Sequence, residues 1–579
     1  MPKFGHFLRV TLEHILMIKF ECNSLTFNLI NNKIMLHEYQ LTNFKAFADT
    51  GKIPIKPITL IYGPNSSGKT SIIQSLLLLK QTLMQATSPD VILLPSGNLT
   101  DLGSYWDFIY RHNIDQIFSF QMDLEFEPQK IPGLLGILID EELAKHPFFG
   151  VQISFNYNQQ ESLILLSKAN LLIGGLPFIT YESKYNSSDT SCLELTIGEL
   201  NSSNVLWQKW YESVKSRIIN LFRKKTRAVL KEKGVKLESL SSKKIAQKLF
   251  ELHQNILEQA TNDNIKYNDD IEYIEILEKL CRRFENYELK DCLQDFSRVL
   301  IYSTLVLSRN FLPYKLDESN ETNQNLELDY LSEIYASLDI LESLSTLTQL
   351  SYEILQSFLE HSVYIGPSRD IPERYYIFND TSGTTSKYTN SISNLLFKSP
   401  GLIERINHQF EKFELGYEIK ATAYKGEEDS ETSNIFAIQL WDKYNQTKIN
   451  IVDVGFGISQ VLPIIVQSIA SHQKTIIIEQ PEVHIHPRLQ TQLGSLFADC
   501  IKPPFENQFI IETHSEHLML RLQKLIRKGE LKPDDVSVIY VERTLEGSKC
   551  LRLRIDNEGD FIDEWPDGFF EEDFQEIFE

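Results

Sequence analysis

Apolar and polar positions divide the chain into stretches of different period. Leu36 to Phe47 alternates, which predicts an edge strand starting near Met35. Residues 1–34 before it carry no clear pattern and read as an extension, or as the product of a start codon placed too far upstream. Ile58-Thr59-Leu60-Ile61-Tyr62 is continuously apolar and predicts a buried strand, and Ser71 to Leu79 predicts a helix packed on a sheet. Phe118 to Phe126 alternates and predicts another strand. Two Asn/Ser-rich stretches, 185–204 and 317–325, read as loops. Between and beyond them, to about Glu360, apolar residues recur at helical spacing, as in Ile271 to Leu280. Strand signals return at Ser362–Gly366, at Ile435–Leu440 and from Thr475. The expected architecture is an α/β fold interrupted by a helical insertion. The divisions are an extension at 1–34, a first lobe at 35–200, the insertion at 201–360 and a second lobe at 361–579.

Composition changes this picture little. Hydrophobic residues at 42% and charged residues at 23% suit an ordinary globular protein with ample core. No apolar run is long enough to span a bilayer, so no membrane partner is expected. Six scattered cysteines without a CxxC pair predict reduced thiols, a cytoplasmic setting and no zinc site. A net charge of −22 argues against a protein that coats nucleic acid over its whole surface, while leaving room for a local basic groove. Arg223-Lys224-Lys225-Thr226-Arg227 is the strongest basic run: a solvated helix face by default, a nucleic-acid backbone contact as the functional alternative. After Ile555 the chain is acidic but rich in Phe and Trp, so this tail is expected to dock, on this chain or on a partner.

The chemistry concentrates in four places. Gly63-Pro64-Asn65-Ser66-Ser67-Gly68-Lys69-Thr70, followed by Ser71, spells a phosphate-binding loop between a strand and a helix. Its amides and the helix N-terminus form an anion site; Lys69 reaches phosphate and the Thr70 hydroxyl ligates Mg²⁺. A second apolar strand ends in Glu479, placed to hold Mg²⁺, and runs into Gln480-Pro481-Glu482 and the pair His484 and His486. A third strand, Gln508 to Glu512, leads to Thr513-His514-Ser515, where His514 can sense a γ-phosphate. Upstream, Asp453-Val454-Gly455-Phe456-Gly457-Ile458-Ser459-Gln460 opens another helix and offers amides to a second anion. The two histidines 484 and 486 read as a structural turn more readily than a metal site. Arg369 and Arg374 read as internal ion-pair partners more readily than phosphate ligands.

The phrases Leu41–Leu76, Val452–Val466 and Ile476–Gln523 together resemble RecF/SMC-like ABC-type ATPases of the bacterial AAA family group. The ending Glu564–Phe574 is similar to a short C-terminal domain of unknown function carried by one subset, and Tyr364–Tyr376 also resembles that subset. Relatives of this type occur in Septu-type phage-defence systems, where the ATPase acts with a separate nuclease. The resemblance implies a homodimer that sandwiches two ATP–Mg²⁺. Each ATP would touch Gly63–Ser71 of one chain and Gly455, Gly457, Ser459 and Gln460 of the other. It implies phosphate and metal roles for Lys69 and Thr70, a metal acid at Glu479 and a switch histidine at His514. Two positions depart from the pattern: Gln480 stands where a catalytic glutamate is usual, and Gly455 where a serine is usual. Slow hydrolysis, substitution by Glu482, and catalysis by positioning alone all remain open. The implied role is an ATP-hydrolysing switch in a DNA-related or anti-phage complex with a nuclease or other effector. A stand-alone DNA-repair clamp and an ATP-bound regulatory scaffold with negligible hydrolysis are the alternatives.

Overall fold

The computed structural model describes residues 33–86, 91–126, 133–145, 148–184, 194–213, 216, 304–308, 312–317, 340–369, 372–378, 388–425 and 432–566. Numbered along the chain, its helices are α1 (Lys69–Gln85), α2 (Tyr105–Phe108), α3 (Gly133–Leu143), α4 (Ile340–His361), α5 (Tyr388–Lys398), α6 (Pro400–Lys412), α7 (Phe456–Ala470), α8 (Pro487–Cys500) and α9 (Glu516–Arg527). Among the described residues no helix is long and apolar enough to cross a membrane.

A six-stranded sheet carries the chemistry. Its order is β12 (Val363–Ile365), β17 (Thr475–Glu479), β18 (Gln508–Glu512), β4 (Ile58–Tyr62), β19 (Val536–Thr544) and β20 (Gly547–Leu553). The first five run parallel and β20 closes the edge antiparallel. Every residue of β4, β17 and β18 is buried, as a parallel sheet covered on both faces requires. Alternation sorts their side chains. Ile61, Ile477, Ile510 and Ile539 meet Ile72, Ile73, Leu76 and Leu77 of α1 on one face. Leu60, Ile476, Ile478 and Ile511 meet Val461 of α7, Leu493 of α8 and Leu518 of α9 on the other.

A large antiparallel sheet packs over the α1 face. It runs β11 (Leu312–Asp317), β10 (Thr304–Ser308), β9 (Glu194–Leu200), β8 (Leu176–Lys184), β7 (Leu163–Ile173), β6 (Phe148–Asn158), β5 (Phe118–Glu125), β1 (Met35–Phe44) and β2 (Phe47–Asp49), with β3 (Ile53–Pro54) also on β1. A small third sheet holds β13 (Tyr376–Ile377), β14 (Tyr417–Lys425), β15 (Thr432–Asp442) and β16 (Thr447–Asn450). Three expectations are corrected. β1 is interior, with β5 on one side and β2 and β3 on the other. β9 occupies part of the stretch read as a loop over 185–204. The insertion at 201–360 is not uniformly helical. Residues 205–213 and α4 are helical, but β10 and β11 lie between them, and most of the remainder, including Arg223–Arg227, lies outside the described residues. The acidic aromatic tail does dock on its own chain as far as it is described: the Trp565 ring lies 5.5 Å from Tyr62 and 6.1 Å from Tyr540.

One buried cation fixes α4 to the phosphate-loop helix. Lys80 of α1 is 8% exposed, and its ammonium donates to the carbonyls of Leu359 (2.7 Å), Glu360 (3.0 Å) and Ser362 (2.8 Å). These are carbonyls that a helix end leaves without an intrahelical partner. Burial lowers the Lys80 pKa from 10.5 to about 8, opposed by the Glu360 carboxylate. Lys80→Met strands the carbonyls of Glu360 and Ser362, while that of Leu359 keeps the Ser362 hydroxyl, and is expected to cost roughly 2–4 kcal/mol, read as a lower urea midpoint. The pH dependence has a defined sign. Between about pH 8 and 10.5 the unfolded state binds more protons at Lys80 than the native state does, so the Lys80 contribution to stability rises with pH there, read as the difference between wild type and the Met variant. The Met variant lacks this rise.

Candidate functional site

The loop between β4 and α1 is shaped by backbone geometry that its glycines permit. Gly63 has φ 143° and Gly68 φ 107°, both in the positive region. A Cβ at Gly63 would overlap the Val541 carbonyl, and one at Gly68 would come within 2.9 Å of the Ala46 side chain. The loop therefore turns tightly against β19 and against the turn after β1. Lys69 opens α1 and folds back over the loop, donating to the carbonyls of Gly63 (2.9 Å) and Pro64 (2.8 Å). Burial lowers its pKa, while Glu512 and Glu482 act in the opposite direction. The Ser67 hydroxyl is buried without a hydrogen-bond partner.

Strand register sets the acids. Glu479 and Glu512 are neighbours across the parallel ladder, and Glu512 is level with Ile61. Alternation puts both carboxylates on the α1 face, beneath the start of that helix. The Thr70 hydroxyl donates to Glu512 Oε1 at 2.9 Å, and the Tyr364 hydroxyl donates to Glu479 Oε1 at 3.0 Å. Burial, then the charge of Glu512, pushes the Glu479 pKa up to about 7. Burial also raises the Glu512 pKa, opposed by the Thr70 bond and Lys69 and reinforced by Glu482. The sequence reading set Thr70 beside Glu479 alone; Glu512 and Tyr364 were not anticipated. The available signal was a carboxylate closing a second, otherwise apolar strand, Gln508-Phe509-Ile510-Ile511-Glu512.

The turns after these strands hold the remaining candidates. Gln480 has φ 45°, and its amide donates to the Glu512 carbonyl at 2.7 Å. The buried Arg369 donates to the carbonyls of Glu479 (3.4 Å) and Gln480 (3.1 Å), so it braces this turn from within. Glu482 has both oxygens engaged: Thr513 Oγ1 donates to one and the His514 amide to the other, each at 2.7 Å. Glu482 thus fixes the turn that carries His514. His514 is half-buried, and burial followed by the Lys69 charge lowers its pKa, which favours a neutral imidazole at neutral pH. The Tyr62 hydroxyl donates to the Ser515 carbonyl at 2.9 Å, tying the same turn to the base of the phosphate loop.

The second glycine segment is narrower than expected. Gly455 is exposed at the N-terminus of α7, with open space around an added Cβ, and Gly457 lies close to the His484 carbonyl. Ser459 and Gln460 are 5% and 1% exposed, so their side chains are packed inside the chain. Of the predicted set, Gly455 and Gly457 are the more exposed. Arg374 makes a bidentate pair with Asp453 at 2.9 and 2.6 Å, as an ion-pair partner should. His486 caps α8, accepting from the Arg488 amide, and among the described residues no three His, Cys, Asp or Glu converge on a metal.

An ammonium over a glycine loop, an orphaned serine hydroxyl and a hydroxyl–carboxylate contact at the helix start fit a nucleotide phosphate with its divalent cation. If Glu482 acts by holding the His514 turn, Glu482→Ala lowers ATP turnover at least about tenfold, because small misplacements are costly. Nucleotide affinity, read by a fluorescent ATP analogue, should stay within about threefold.

The match to a family model agrees with this geometry. The AAA ATPase domain family matches residues 35–519, and a family described as protein of unknown function (DUF3696) matches residues 531–579. No curated protein matches the sequence. Similar solved structures include the Smc head domain with an extended coiled coil bound to the C-terminal domain of ScpA from Pyrococcus furiosus. It is 10% identical, with 90% of this chain and 96% of that chain covered at a TM-score of 0.33. Another is the SMC head domain from Thermotoga maritima, 10% identical, with 90% and 99% covered at a TM-score of 0.32. A strand–glycine loop–helix unit on a parallel α/β sheet, within a match spanning residues 35–519, identifies the chain as a member of the AAA ATPase domain family.

Proposed function

We propose that the chain is an ATP-driven dimeric switch of slow turnover, acting with a separate nuclease in a DNA-related or anti-phage defence complex. In this reading ATP–Mg²⁺ lies on Gly63–Ser71, and a second copy contributes the amides at Gly455 and Gly457. The supporting observation is the Thr70 hydroxyl against the carboxylate pair at the ends of β17 and β18. Mg²⁺ is commonly held by one or two carboxylates together with substrate phosphates. Lys69 supplies charge to the phosphates, and Thr70 and Glu479 hold the metal. When bound, Mg²⁺ neutralises charge on the phosphate oxygens. Neutral His514 contacts the γ-phosphate side.

Slow turnover follows from Gln480, whose amide orients water but cannot accept its proton. Glu482 does not compensate, because both its oxygens are engaged. The same two facts support the second reading, an ATP-bound scaffold with negligible hydrolysis that restrains a partner. The defence role and the nuclease rest on motif resemblance, and the cytoplasmic setting on scattered cysteines without a CxxC pair. Nucleic-acid contact through Arg223–Arg227 is part of the same proposal.

Steady-state turnover of the purified protein tests this, with and without duplex DNA. Lys69→Ala should abolish ATP binding, and retained binding overturns the phosphate-loop assignment. Gln480→Glu should raise turnover by about 10²-fold or more, the usual contribution of a positioned base. An unchanged rate overturns the claim that the missing carboxylate is limiting. An ATP-dependent doubling of mass by light scattering is expected for the dimer.

A further inference from the structure

We propose that Glu512 is a second carboxylate ligand of the divalent cation that accompanies the nucleotide, so that Thr70, Glu479 and Glu512 form one donor set. This rests on the ATP reading above, which gives the metal to Thr70 and Glu479 and leaves Glu512 only as the partner of Thr70. Three independent observations converge. Glu512 is 2% exposed at the end of a strand whose other residues are all buried, so its charge carries a large desolvation cost that a packing role would not need. One of its oxygens accepts from Thr70, the hydroxyl of the phosphate loop itself. Its other oxygen, Oε2, is buried with no hydrogen-bond partner.

Charge balance points the same way. Glu479 stands beside Glu512 at the spacing of adjacent strands, about 4.8 Å. The Tyr364 hydroxyl and the Thr70 hydroxyl each satisfy one oxygen and bring no charge. Lys69 is the cation that both influences Glu512 and lies over the loop. When both carboxylates are ionised, the one ammonium leaves about one negative charge uncompensated in a buried site. A divalent cation reverses that deficit, and nucleotide phosphate then takes up the excess. Mg²⁺ binds readily to such a half-built set, since one or two carboxylates with water and phosphate oxygens complete its shell. The competing account is that Glu512 merely buttresses the N-terminus of α1, where an anion is favourable.

The deciding measurement is the affinity of Mn²⁺ for the full-length protein with a bound fluorescent ATP analogue, read from loss of the free Mn²⁺ resonance signal. Glu512→Gln keeps shape and an acceptor for Thr70. It should weaken Mn²⁺ at least tenfold, leave analogue affinity in EDTA within threefold, and raise the melting temperature of the metal-free protein at pH 8. Glu512→Asp keeps the charge but shortens its reach, and should weaken Mn²⁺ at least threefold if Glu512→Gln fails to fold. Unchanged Mn²⁺ affinity with a lower metal-free melting temperature overturns the proposal in favour of the buttress. If wild type binds no analogue, with or without Mn²⁺, the ATP reading itself falls and this assignment falls with it.

Discussion

The parallel register of β4, β17 and β18 is the constraint on which the site depends. It brings Glu479, Glu512 and Ile61 level at the ends of three adjacent strands. Alternation then sends both carboxylates to the face on which α1 begins. A shift of one residue in either strand would turn a carboxylate to the opposite face, among Val461, Leu493 and Leu518. The apolar residues of Thr475–Glu479 and Gln508–Glu512 therefore do two things. They are buried on both faces of the sheet, and they hold two costly charges where a helix N-terminus and an ammonium can temper them.

Much of this was legible in the chain, and the divide follows distance along it. The phosphate loop is contiguous: strand, glycines, lysine and helix all fall within Ile58–Gln85, so local pattern suffices. The strand ends at Glu479 and Glu512 were equally visible as strand ends. Which of them meets Thr70 was not, because the pairing joins residues 442 positions apart and depends on strand order. The same limit explains β1. Alternation records which side of a strand is buried, not how many neighbours it has, so an interior strand looked like an edge. β9 was hidden by the Asn/Ser-rich segment before it. The buried state of Ser459 and Gln460 was also beyond reach, since it depends on how α7 lies against α8 and the sheet.

The site is continuous with the packing behind it. Glu482 holds the His514 amide, the Ser515 carbonyl accepts from Tyr62, and the Tyr62 ring packs edge-on to Trp565. Tyr62 is also the last residue of the strand that enters the phosphate loop. The start of the tail and the His514 turn thus bear on one aromatic residue at the foot of that loop. Glycines at Gly63 and Gly68 let the loop press against Val541 and Ala46, so it is backed on two sides. A site assembled this way is stiff in its backbone and adjustable in its charges.

Residues 205–213 and α4 share a core with the phosphate-loop helix. Trp207, Trp210, Leu344 and Leu347 lie in one cluster with Ile73 and Leu77, and β10 rejoins the sheet on β9. Residues 205–213, α4 and β10 are thus built into the same body as the phosphate loop. Close-packed interiors transmit strain, so a substitution that loosens Trp207 or Leu347 reaches α1 through shared packing. The nucleotide site therefore answers to residues far from it in sequence, and selection on that site extends to them.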